Sequence, residues 1–112
     1  MITKKDILSR SKSVKLVPLI SEWGDDLFIR PMSGGDYVRI MIEQHVANKA
    51  GKPTNDFAAK VIIASVAGKD GKLIFSNSDL QEVLDLPHSE LDVVYDQCAV
   101  VNKINRVDEK KD

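Results

Sequence analysis

Cysteine is scarce in this 112-residue chain, where Cys98 stands alone. One thiol cannot close an intramolecular disulfide or build a cysteine-rich zinc site, so the expected compartment is a reducing cytoplasm. Aromatic residues make up only 5%, and proline occurs four times. Long apolar runs are missing. Val61-Ile62-Ile63-Ala64 stops far short of the ~20 residues that a bilayer-spanning helix requires. The charged start Met1-Ile2-Thr3-Lys4-Lys5-Asp6 leads into no apolar segment of the secretory-signal kind. Neither sign of charge dominates: 16 Lys+Arg stand against 17 Asp+Glu, for a formal net charge of −1. A general nucleic-acid binder carries a basic surplus, so the expected partners include no nucleic acid and no membrane.

What is present is an average globular composition, 43% hydrophobic and 29% charged, in a length that suits one domain. The charge is unevenly placed. Lys4, Lys5, Arg10, Lys12 and Lys15 crowd the start with only Asp6 among them. From Leu73 to Asn102 there is no Lys or Arg, while Asp79, Glu82, Asp85, Glu90, Asp92 and Asp96 lie in that stretch. Such a dipolar chain is suited to meet a basic partner, or its own neighbour head to tail; solvated helix faces are the plainer explanation.

Residues 1–105 read as a single domain whose first 13 residues form an arm, with 106–112 a flexible polar tail. Thr3 and Asp6 have the spacing of a capping box for a short first helix. Residues 14–20 are β-rich, and Pro18 confines them to an edge strand; Leu27–Arg30 form a second strand, and the two make a hairpin across Trp23-Gly24-Asp25-Asp26. Ser33 opens a helix ending near 48–50, with Val38, Met41, Ile42 and Val46 as its expected buried stripe, widened by Tyr37 and Ile40. Residues 54–67 fit either a helix capped by Thr54 or Asn55, or a strand feeding an Asp70-Gly71 hairpin. The alanines at 58, 59, 64 and 67 and the following Gly68 favour the helix. Ser76 to Asp79 cap a short helix that Pro87 closes, and Ser89 caps a last one with Leu91, Val94, Tyr95, Cys98 and Val101 inward. The fold expected is α+β, mostly α-helical: an N-terminal β-hairpin packed on a small bundle of about four helices.

The sequence holds no constellation of acid, base and nucleophile. His45 and His88 have neither a framing carboxylate pair nor metal-ligand spacing. Cys98 has Val94 and Val101 as its helical neighbours, which suits an inert core thiol. Gly34-Gly35 lacks the lysine and the spacing of a phosphate loop, and Asp70-Gly71 lacks the acidic array of a calcium loop. The expectation is no enzyme, with no catalytic, cofactor-binding or metal-binding residues. Trp23 at the turn fits a satellite core residue or a contact anchor.

The order of segments resembles that of the tail assembly chaperones of long-tailed (siphovirus-type) bacteriophages. The likeness lies in Trp23-Gly24 with Leu27-Phe28-Ile29-Arg30, in Ser33-Gly34-Gly35-Asp36-Tyr37, in Ala67-Gly68-Lys69-Asp70-Gly71-Lys72-Leu73-Ile74-Phe75, and in Asp79 to Pro87 with the helix after it. It spans roughly residues 14–105. It implies a non-enzymatic factor of the infected host's cytoplasm that binds the tape measure protein, promotes tail tube assembly and is absent from the mature virion. It further implies self-association, contact with the tail tube protein, and a longer form made by ribosomal frameshifting. Lys110-Lys111 is compatible with a slippery codon pair. The alternatives are another phage morphogenesis protein, such as a head–tail connector, and a small non-enzymatic regulator. The expected contact residues, for partner or self, are Lys4, Lys5, Ile7, Leu8, Trp23, Asp79, Glu82, Asp85, Asp92 and Asp96.

Overall fold

A computed structural model describes residues 1–12, 14–51 and 56–104. Among these, five helices and three short strands form an α+β fold that is mostly helical. The expected hairpin is there. β1 (Val17–Pro18) pairs antiparallel with β2 (Leu27–Ile29), Val17 opposite Ile29 and Pro18 opposite Phe28. β1 is an edge strand, where the missing proline N–H leaves no ladder bond unmade.

The bundle is built around one helix. α3 (Phe57–Ser65) buries Ala59, Val61, Ile62, Ile63, Ala64 and Ser65, so it is covered on nearly every side. A helix apolar all round has no stable place except the centre. α2 (Gly34–Lys49), α4 (Leu80–Leu84) and α5 (His88–Asn102) pack against it. The main core joins Ile29, Ile40, Val61, Ile62, Val94 and Cys98. A smaller cluster gathers Ala59, Ile63 and Val83 under Leu80, Leu84 and Leu86. Lys60 of α3 reaches Glu43 of α2 at 2.9 Å, and this hydrogen bond holds the Glu43 carboxyl below its ordinary pKa.

Residues 54–67 combine the two readings of the sequence. The helix ends at Ser65, two residues earlier than expected, and Val66–Gly68 form a third strand, β3, beside β2. No loop separates them: Val66, the C-cap of α3, is already extended. The Arg30 N–H just past β2 donates to the Ser65 carbonyl at 2.7 Å, filling one of the acceptors that a helix end leaves open. The Asp70-Gly71 turn follows, with Gly71 at φ 83°, and returns the chain so that Leu73 bridges Ala67. The positive φ is a conformation that glycine adopts without the Cβ penalty.

The caps were read in part. Thr3 and Asp6 form both halves of a capping box on α1 (Lys4–Leu8), and Ser76 and Asp79 do so before α4. Ser33 Oγ accepts from the Asp36 N–H at 3.1 Å as expected, but the Asp36 carboxylate turns to Arg39, 3.5 Å away, and not back to Ser33. Ser89 does not cap α5; the helix begins at His88 with Pro87 at the N-cap, and no side chain caps it. The cap placed at Thr54 or Asn55 and the polar tail 106–112 lie outside the described residues.

The largest correction concerns α2. Of its expected buried stripe, only Met41 turns toward the core, while Val38, Ile42 and Val46 are each more than half exposed. Ile40, expected only to widen that stripe, is the buried residue. The contact with α3 fixes the rotation of α2, and apolar side chains lie on more of its circumference than one neighbour can cover.

Candidate interaction surfaces

Four surfaces hold most of the candidate contact residues and of the exposed apolar side chains. The first is the N-terminal arm. α1 and the 3-10 turn after it (Ser9–Lys12) bury no residue of α1, and Lys4, Lys5, Ile7 and Leu8 are all exposed. Five residues of helix are too few to be stable alone in water, so the arm gains order only through its cap or a docking surface.

The second surface is the outer side of α4. Glu82 and Asp85 are exposed there, and Asp79 is half-buried and held in its capping box at 2.8 Å from the Ser76 nitrogen. Asp79 and Glu82 line a shallow depression floored by Phe75, Val83 and Leu86. Asp85 accepts from the Gln81 amide at 3.2 Å.

The third is the outer side of α5. Asp92 is exposed and Asp96 is half-buried, so these acids lie on a different helix from Asp79, Glu82 and Asp85. Exposed Val93 and Val100 accompany them. Gln97 between them grips the backbone after β1: its Oε1 accepts from the Ile20 N–H at 2.9 Å and its Nε2 donates to the Ile20 carbonyl at 2.7 Å. This pairing seats Ile20 beside Val93 with its side chain 77% exposed.

The fourth is the ridge of α2, Val38, Ile42 and Val46, with Tyr37 at its start. Sequence reasoning assigned this ridge to the core and did not single out Ile20, Val93 or Val100. A usable signal was present: α2 and α5 each carry more apolar residues than a single buried stripe holds.

Trp23 stands apart from these surfaces. Its indole Nε1 donates to Glu90 Oε1 at 2.9 Å, its ring meets Phe75 edge-on at 6.2 Å, and it packs against the main core. The turn is thereby pinned to α5, and Trp23 is a satellite core residue more than a free anchor.

His45 and His88 are exposed on α2 and at the start of α5. Among the described residues, no group of three or more His, Cys, Asp or Glu is placed to hold a metal ion, and no helix is long and apolar enough to cross a membrane. Cys98 is fully buried. Burial pushes its thiol pKa up to about 12, against a smaller opposite effect of its hydrogen bond with Ser65. This has a consequence for stability. Below the ordinary value of 9.0 the folded and unfolded chains both keep the proton; between there and about 12 only the folded chain does. Stability therefore falls as pH rises through this window, by about 1.4 kcal/mol per unit from this group. Urea unfolding at roughly pH 8 and pH 10 is expected to show that loss, and Cys98→Ala to reduce it. Equal pH dependence in the two proteins would contradict it.

No protein-family model matches the chain, and neither a curated protein nor a solved structure matches it.

Proposed function

We propose that the chain is a tail assembly chaperone of a long-tailed phage, a non-enzymatic protein that holds the tape measure protein in the host cytoplasm while tail tube subunits assemble. The observation that carries the reading is the α2 ridge. Single exposed apolar residues are ordinary. Three of them four residues apart on a 16-residue helix form a continuous row of the kind that packs into the groove of another helix. An elongated, apolar-striped helical partner is the shape such a row fits. The resemblance of the segment order to tail assembly chaperones supports the same partner.

Coexpression with the tape measure protein is expected to raise that partner's soluble yield several-fold. Val38→Asp combined with Ile42→Asp is expected to abolish the gain. Both positions are exposed, so the double variant should unfold within about 0.5 kcal/mol of the parent. A tape measure protein equally soluble with and without the chain would overturn the reading.

A further inference from the structure

We propose that a basic groove centred on Arg30 docks an acidic, extended segment of a partner protein, one in which apolar residues precede several carboxylates. The inference goes beyond the chaperone reading and rests on residues outside the α2 ridge. Ile29 is buried on the inner face of the sheet, so the next side chain, that of Arg30, turns to the outer face. Two depressions, of about 340 and 360 Å³, join there, and Val14 and Arg30 line both. The two halves differ in chemistry. In one, Pro31, Met32, Ala64 and Leu73 make an apolar floor with Arg10 at its edge. In the other, Leu16 lies with Lys69 and Lys72 of the turn after β3.

Charge selects the occupant. Among the described residues, none of Arg10, Arg30, Lys69 and Lys72 takes part in an ion pair. Arg30 donates one N–H to the Gly71 carbonyl at 3.3 Å and keeps the rest of its fork for a carboxylate. The two acids at the groove are engaged locally, Asp36 with Arg39 at 3.5 Å and Asp70 with the Lys72 N–H at 3.0 Å. The groove is therefore positive in a chain whose formal net charge is −1. The floor separates a protein partner from a nucleic acid. A single strand held in a basic groove stacks its bases on aromatic rings, and no residue lining either depression is aromatic. An aliphatic floor beside fixed cations instead suits a peptide whose side chains enter successive pockets. A short segment buries less than the ~800 Å² per partner of a standard interface, so the docking is weak and salt-sensitive.

The test is fluorescence anisotropy of the full chain with a labelled peptide of two leucines followed by four glutamates. Binding is expected at low salt and is expected to weaken several-fold at physiological ionic strength, where exposed charges more than ~8 Å apart are largely screened. Lys69→Glu with Lys72→Glu is expected to weaken it by roughly ten-fold. Both side chains are exposed, so the variant should keep its fold. Glutamine in place of the peptide's glutamates should abolish binding, and glycine in place of its leucines should weaken it several-fold. On the unaltered protein, peptide-induced shifts of the backbone amide resonances are expected at residues 14–16, 30–33 and 69–73, and these decide the matter should the variant not fold. No binding at millimolar peptide overturns the proposal. So does binding indifferent to the reversal, or shifts centred on Lys4 and Lys5 instead. Tighter binding of a single-stranded oligonucleotide at the same residues would assign the groove to nucleic acid and also overturn it. The tape measure protein takes no part in these measurements, so the two readings fail separately.

Discussion

Ile62→Ala is expected to destabilise the protein by about 3–4 kcal/mol, a lowering of the melting temperature by roughly 15 °C. Ile62 is completely buried in the middle of α3, the helix that every other layer covers. Truncation removes three carbon atoms from a site lined on all sides by other elements, which cannot all collapse inward together. The transfer and cavity contributions therefore both apply in full. Ile62→Val, which removes a single methyl group, is expected to lose about 1 kcal/mol. Urea and thermal unfolding of the pair measure the ratio. Similar small losses in both would mean that α3 is not the centre of the core.

Asn102→Leu is expected to have an effect almost as large, about 3 kcal/mol, for a different reason. Asn102 Oδ1 accepts from the Met32 N–H at 2.7 Å, and its Nδ2 donates to Ser65 Oγ at 3.0 Å and to the Cys98 carbonyl at 2.9 Å. One amide thus joins the segment leading into α2, the end of α3, and α5. Leucine nearly keeps the volume and removes every polar bond, leaving the Met32 N–H without its acceptor and the Ser65 hydroxyl without that donor in a half-buried to buried setting. Each lost partner there costs about 1–3 kcal/mol. Asn102→Asp retains an acceptor for Met32 and loses only the donor, so the expected order of stability is Asn, Asp, Leu. The double variant with Ser65→Ala should lose less than the sum of the two singles, since the two side chains share a bond. Strict additivity would show that the network has no energetic coupling.

The parts legible in the sequence were those decided within a few residues of chain. The Thr3–Asp6 and Ser76–Asp79 boxes, the Ser33 cap and the stop before Gly51 depend on local side chain-to-backbone geometry, and the structure has them. Pro18 on an edge strand and Cys98 in the core follow equally local rules. The rotation of α2 was not legible, because Ile40 and Ile42 are the same residue type two positions apart and only packing on α3 decides which is inside. β3 was hidden for a related reason. Val66-Ala67-Gly68 continues an alanine-rich helical pattern, and it becomes a strand because β2 offers an edge beside it. Of the expected contact residues, Trp23 at the turn is drawn inward by Glu90 and Phe75. The acids divided between α4 and α5, a separation that charge along the chain does not encode.

The passage from α3 directly into β3 ties two layers that in many folds loosen independently. Local openings tend to proceed in cooperative units bounded by flexible connections, and between Ser65 and Val66 there is no such connection. The Arg30–Ser65 bond spans the same point from the other side. Fraying of the sheet past Ile29 takes with it the Arg30–Ser65 bond at the end of α3. The amides of β2, of β3 and of the last turn of α3 are therefore expected to lose hydrogen-exchange protection together.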